Sequence, residues 1–159
     1  MLVFRIARKR YIRDLTGQGA KRYGGRWNPK GLAVIYTSET RALAMVEYLV
    51  HVSWPQIPTD LQISTLQIPE DLNPEVISSK QLPKNWKAYP PPEKLAHLGA
   101  QWIRANKGLL LQVPSAVVDR ESNILINPAH PDMARVKIGE VQDLRIDRRL
   151  VDSQLNRPF

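Results

Sequence analysis

The chain has 159 residues, a formal net charge of +8, 43% hydrophobic residues and no cysteine. That length and apolar content suit one domain able to bury its own core, and the missing cysteines exclude disulfides and thiolate metal sites. The N-terminal Met1 to Arg10 segment is too charged for a signal peptide and no window approaches a membrane span. The expectation is a soluble, cytoplasmic protein with no membrane association.

The charge is unevenly placed. Nine basic side chains (Arg5, Arg8, Lys9, Arg10, Arg13, Lys21, Arg22, Arg26 and Lys30) face Asp14 alone between positions 5 and 30. Such asymmetry implies an anionic partner: nucleic acid, a phosphorylated small molecule or an acidic protein. Charge does not choose among them.

In chain order, Leu2 to Ala7 alternates as a first strand with Arg5 projecting from it. Arg8 to Leu15 reads as a short helix. Lys21 to Gly31 reads as a basic loop whose glycines, Gly24, Gly25 and Gly31, free backbone amides to point at an anion, with Arg22, Arg26 and Lys30 adding charge. Arg26 can fork two hydrogen bonds onto a phosphate. The plain alternative is a solvated turn with scattered basic residues.

Ala33 to Thr37 is a short buried strand, and Ser38 is expected to cap a helix with Glu39 in its first turn. On that helix Ala42, Leu43, Val46, Leu49 and Val50 form an apolar stripe, which puts Glu47 at its rim, and Trp54-Pro55 ends it. Loop, strand and helix together make a candidate anion-and-sugar site.

Leu61 to Ile68 alternates as a strand with a phase slip at Thr65-Leu66, which predicts a bulge. Pro69 to Pro92 is a proline-rich excursion carrying Trp86 and Tyr89, too long for an idle connection. Glu93 to Asn106 makes a second helix with Leu95, Leu98, Gly99, Trp102 and Ile103 inward, stopped at Asn106-Lys107-Gly108. Leu109 to Pro114 is a buried run ending at Ser115. Ala116 to Asp119 and Ile124 to Ile126 read as a hairpin, Asn127 to Asp132 as a turn ordered by His130, and Val136 to Ile146 as the last one or two strands before a polar tail. Without βαβ alternation the fold class is α+β, around an antiparallel or split sheet.

No Gly-x-Ser-x-Gly elbow and no P-loop are present. His51, His97 and His130 are far apart, and Glu47 with His51 lacks an evident third metal ligand, so no metal is expected. Tyr23, Trp27 and Tyr36 near the basic loop can stack on a flat heterocycle, although core packing is the commoner fate of a strand tyrosine.

Five ordered motifs point to a family: Gly-Gly-Arg-Trp-Asn-Pro-Lys-Gly (24 to 31), Val-Ile-Tyr-Thr-Ser (34 to 38), Ala-Met-Val-Glu-Tyr-Leu-Val-His (44 to 51), Val-Pro-Ser-Ala-Val-Val (113 to 118) and Glu-Ser-Asn-Ile-Leu-Ile-Asn-Pro-Ala-His-Pro-Asp (121 to 132). In this order the chain resembles the RES-domain toxins of Xre–RES toxin–antitoxin pairs, over a single domain taken as 1–159. The resemblance implies a fold like the diphtheria-toxin-type ADP-ribosyltransferases. It implies consumption of NAD⁺ by hydrolysis, phosphorolysis or ADP-ribosylation of a protein, with NAD⁺ as substrate and no bound cofactor. The partners it implies are an Xre-like antitoxin and, as acceptor, water, inorganic phosphate or a protein; it also allows a homodimer within a toxin–antitoxin complex. Carried over, Arg26, Glu47 and Ser115 match the arginine, glutamate and serine of the name, Tyr36 matches the site tyrosine, Arg5 another arginine and Asn127 a recurrent asparagine.

The chemistry agrees. Cleaving the ribose–nicotinamide bond passes through an oxocarbenium-like sugar that one carboxylate can stabilise. Ordinary glycosidases need a second carboxyl to protonate the leaving oxygen, whereas nicotinamide leaves as a neutral base. Glu47 is assigned to the sugar, Arg26 helped by Arg5 to the diphosphate, Tyr36 to the nicotinamide ring, and Ser115 to positioning Glu47 or the ribose. The readings kept against it are a basic nucleic-acid-binding protein and a ribonuclease-type toxin, which would want a histidine base beside the arginines.

Overall fold

A computed structural model describes residues 1–53, 56–147 and 149–152. Among these residues, segments rich in aliphatic and β-branched side chains become seven strands: β1 (Leu2–Arg8), β2 (Ile35–Ser38), β3 (Leu61–Gln67), β4 (Glu75–Val76), β5 (Leu110–Pro114), β6 (Ser122–Ile126) and β7 (Lys137–Asp143). The helices are α1 (Gln18–Tyr23), α2 (Arg41–Leu49), α3 (Glu93–Ala105) and α4 (Arg149–Asp152). The strands form one sheet in the order β4-β5-β6-β2-β1-β3-β7, antiparallel at every neighbour except the parallel β4–β5 pair. The architecture is α+β with a mixed sheet.

The sheet has one seam where strand pairing nearly stops. β1 pairs with β3 along its whole length, from Leu2↔Gln67 to Arg8↔Leu61. It meets β2 only at Phe4↔Ser38. Beyond that pair β1 and β2 diverge, and the side chains beside the gap, Arg5 and Tyr36 among them, border a cavity instead of a neighbouring strand.

Both faces of the central strands are covered, which explains their unbroken apolar runs. Leu110, Ile124, Ile126 and Ile35 pack with Val3 and Leu66 on one face. Leu111, Val113 and Leu125 pack on the other with Trp27, Trp86 and the Leu95 and Trp102 stripe of α3. α3 lies so close to the chain at Trp27 that a Cβ at Gly99 would fall 1.8 Å from the Trp27 carbonyl oxygen. Leu95, Gly99, Trp102 and Ile103 are buried as the periodicity predicts, with Ala100 added and Leu98 only half-buried, and Asn106 closes the helix in the left-handed conformation at φ 48°. The bulge predicted in β3 also occurs, as a register shift against β7 between Ser64 and Leu66.

Other expectations are corrected. Arg8 to Leu15 holds only a 3-10 turn, Lys9–Tyr11, while the helix lies later, as α1, whose second half takes up the start of the segment read as loop. Ser38 ends β2 rather than capping α2, because its hydroxyl donates to Asn123 Oδ1 at 2.7 Å. Thr40 is the cap, its hydroxyl oxygen accepting the Leu43 N–H at 3.0 Å, so Glu39 precedes the helix. The hairpin joins β5 to β6, and Ala116 to Asp119 belongs to its connection. There the Ser115 hydroxyl accepts the N–H groups of Val117 and Val118 at 3.1 and 2.9 Å and turns the chain away from a strand. The last segment forms one strand, β7, and a short α4 follows it; the helix stop expected at Trp54-Pro55 lies outside the described residues.

Candidate active site

α2 is rotated relative to its hydrophobic pattern. Leu43 and Ala44 are buried and Glu47 and Tyr48 are half-buried, whereas Val46 and Val50 are 36% and 54% exposed. Glu47 therefore stands on the inward face, not at a rim. Isolated outward valines are tolerated on a surface, and the inward face needs polar groups because it borders the cavity.

That cavity measures about 480 Å³ and opens at the β1–β2 seam. Arg5 comes from β1, Arg26 from the turn after α1, Tyr36 and Ser38 from β2, Glu47 and His51 from α2 and its end, Asn123 from β6, and Tyr89 and Pro91 from the proline-rich excursion.

Glu47 is oriented by side chains. Its Oε1 accepts the Ser115 hydroxyl at 2.7 Å and the Asn123 side-chain N–H at 2.6 Å. Both donors are tied down in turn: Ser115 by the two amides of its turn, and Asn123 by Ser38. No hydrogen bond reaches Oε2 from the described residues, so that oxygen remains to accept from a ligand. Asn123 went unnoticed in the sequence. Its one signal is a polar side chain at the head of the apolar 124–126 run, and only the β2–β6 register Ser38↔Asn123 shows what it meets.

The Gly24 to Asn28 turn is not an open anion cradle. The amides of Gly24, Gly25 and Asn28 donate to the carbonyls of Ala20, Asn28 and Gly25, and the Trp27 amide donates to the Tyr36 hydroxyl at 3.0 Å. The expected amide nest is therefore consumed by the turn itself. The turn is rigid for two reasons. Buried Asn28 donates to the carbonyls of Ala20, Pro29 and Leu32 and accepts the Tyr36 hydroxyl at 2.8 Å. At Gly25 a Cβ would lie 2.6 Å from the Tyr36 hydroxyl oxygen, so no larger residue fits unshifted. Trp27 points into the core, 2% exposed, and Arg26 points the other way, toward the cavity.

The Arg26 Nη1 donates to the Trp86 carbonyl at 2.6 Å and Nη2 to the Ala88 carbonyl at 3.3 Å. A guanidinium carries five N–H donors, so three remain for a ligand. Burial pushes its pKa down and the charge of Glu47 opposes that shift. Arg5 donates to the Tyr11 and Ile12 carbonyls at 3.0 and 2.9 Å; burial lowers its pKa as well, with Asp14 opposing. Burial pushes the Tyr36 hydroxyl pKa up, and the side chain lines the cavity.

Arg5, Arg26, Tyr36 and Glu47 thus share one cavity, with Ser115 behind Glu47. Asn127 does not join them. It is 0% exposed, donates to the Ile103 carbonyl and Asn106 Oδ1, accepts from the Ala129 amide, and so braces the end of α3. Arg22 and Lys30 are exposed and absent from the cavity wall. His130 orders its turn as predicted, its Nδ1 accepting the Asp132 amide at 3.1 Å. Among the described residues no three His, Asp or Glu side chains gather to hold a metal, and no helix is long and apolar enough to cross a membrane.

The profile of the RES domain matches residues 2–148. The chain belongs to the RES domain family. Its relatives in that family include the Prs ADP-ribosylating toxin of Sphingobium sp. (strain YBL2), 38% identical over 140 residues that cover 87% of each chain. Toxin Res of Photorhabdus laumondii subsp. laumondii is 33% identical over 156 residues, covering 97% of this chain and 99% of that protein. The fold matches a chain in the crystal structure of the M. tuberculosis MbcT–MbcA toxin–antitoxin complex, with a TM-score of 0.74 at 18% identity over 90% of this chain and 83% of that one.

Proposed function

We propose that this RES-domain protein is the toxin of a toxin–antitoxin pair and acts by cleaving the bond between nicotinamide and ribose in NAD⁺. The observation that carries the reading is Glu47 with one oxygen fixed by Ser115 and Asn123 and the other without a hydrogen bond from the described residues, in a cavity it shares with Arg26 and Arg5. The ADP-ribosylating and toxin names of its relatives point the same way. The opening of the sheet at β1–β2, where the cavity lies, agrees with an ADP-ribosyltransferase-like fold as the proposed scaffold.

Arg26, with its three remaining donors, and Arg5 hold the diphosphate. Glu47 Oε2 accepts from a hydroxyl of the nicotinamide ribose and lies against the sugar as positive charge grows there. The C1′–N bond breaks with its electron pair going to nicotinamide, which departs neutral, so no acid is required. The acceptor then bonds to C1′ and releases its proton to solvent. Water, phosphate and a protein side chain are all chemically able to do this, and access alone separates them. An Xre-like antitoxin is the partner this reading expects, since a free NAD⁺ consumer depletes its host.

Incubation of the purified protein with NAD⁺, alone, with phosphate and with a bacterial lysate that supplies protein acceptors, tests the reading. Free nicotinamide should accumulate, and phosphate dependence would identify phosphorolysis. An RNA arm run in parallel addresses the ribonuclease alternative. Intact NAD⁺ under all conditions overturns the reading.

A further inference from the structure

The proline-rich excursion contributes a wall to the cavity, and its outer part is fastened at three kinds of point. Residues 83–88 form two successive turns, with the Trp86 amide donating to the Pro83 carbonyl and the Ala88 amide to the Asn85 carbonyl, each at 2.9 Å. Trp86 is buried beside Trp27 and Trp102. Arg26 binds the carbonyls of Trp86 and Ala88, and Lys87 pairs with Asp119 in the β5–β6 connection. Three prolines, Pro90 to Pro92, then fix the chain's φ angles up to the start of α3.

On this strap sits Tyr89, lining the cavity yet 85% exposed. No described residue covers its ring, and a lone exposed tyrosine on a loose loop would need no explanation. This one stands on a segment held on both sides, so a ligand ring that stacks on it does not have to order a mobile loop first. Its neighbour Ala88 is bonded to Arg26, the cation that also lies within electrostatic reach of Glu47. Arg26 therefore links the acid to the strap.

We propose that Tyr89 is a stacking surface for the purine at the adenosine end of the dinucleotide, a subsite supplied by the strap. The inference rests on the NAD⁺ reading: with Glu47 at the nicotinamide ribose and Arg26 at the diphosphate, the group beyond Arg26 is the adenosine half. Base–aromatic stacking depends on a π-face and not on a hydroxyl, so the phenol oxygen is dispensable.

The test is steady-state NAD⁺ cleavage, followed as nicotinamide release, by the full chain and two variants. Tyr89→Ala should raise KM for NAD⁺ about tenfold with little change in kcat, and Tyr89→Phe should keep the wild-type KM. Because the ring is exposed, neither variant should move the thermal melting transition. If the wild type turns over NAD⁺ and Tyr89→Ala leaves KM unmoved, or lowers kcat alone, the purine subsite is overturned while the NAD⁺ reading stands. If the wild type releases no nicotinamide with water, phosphate or protein as acceptor, the reading itself fails and takes this inference with it.

Discussion

Glu47 stands on a helix and has one carboxylate oxygen fixed by two side chains, Ser115 and Asn123, each itself anchored. Arg26, across the same cavity, stands at the tip of a glycine turn and is fixed by two backbone carbonyls of a strap. The acid side thus depends on particular side chains at particular places. The cation side needs only carbonyls, which any strap sequence supplies. Glu47 and Ser115 are marked in the sequence, whereas Asn123 and the carbonyls that fix Arg26 are not. It follows that changes on the acid side should act on the chemical step, and changes on the cation side on substrate binding.

The largest effect expected is from Glu47→Gln, which keeps the shape and an acceptor for Ser115 and Asn123 but removes the charge. NAD⁺ turnover should fall by about 10²–10³-fold with KM little altered. Wild-type rates of nicotinamide release in that variant would remove the acid from the chemistry. Ser115→Ala and Asn123→Ala leave the charge and loosen its aim. Each should lower kcat by about ten- to a hundredfold, and combining either with Glu47→Gln should add little further loss, because the three act as one unit. Full additivity in that double-mutant comparison would show the network to be incidental.

Arg26→Lys sharpens the contrast from the other side. It keeps the charge and loses the fork, so KM for NAD⁺ should rise about tenfold while kcat changes less. The strap, losing its paired carbonyl contacts, should be cut faster by protease between Trp86 and Tyr89 than in the wild type. An unchanged cleavage rate there would mean that the burial of Trp86 alone holds it.

The smallest effect concerns acid stability. Hydrogen bonds from Arg8, Arg135, Lys87 and Arg149 hold the carboxyls of Asp60, Asp71, Asp119 and Asp147 below their ordinary pKa. A carboxyl depressed in the folded state adds stability that is complete above its unfolded pKa, about 4, and drains away as pH falls through the folded value. All four pairs are exposed, so the decline below about pH 4 should be shallow and should weaken further in high salt. Melting temperatures between pH 6 and pH 2.5 at two salt concentrations would check it, and a decline confined to pH values above 5 would contradict it.

Local rules reached the strands and α3 because their patterns were self-consistent. The β3 slip, the α3 stripe, its Asn106 stop and the His130 turn all follow from neighbours in sequence. The errors fall where a distant partner decides. Ser38 looks like a helix cap until Asn123 takes its hydroxyl. The 24–28 amides look free until the turn and Tyr36 use them. Val46 and Val50 look like core until the opposite face of α2 is seen to border a cavity. Asn127 looks like a site residue and Asn123 does not, yet strand pairing brings Asn123 to Glu47 while Asn127 braces the end of α3.

By itself the sequence determined the chain's family, its α+β class, and which arginine, tyrosine, glutamate and serine to examine, because residue type and order are carried by the chain directly. Only the tertiary structure decided that Glu47 faces inward, that Asn123 shares the fixing of its oxygen, and that Arg26 ties a strap carrying Tyr89 to the cavity. Those facts depend on helix rotation, on strand register and on backbone carbonyls sixty residues away from Arg26, none of which local propensity encodes.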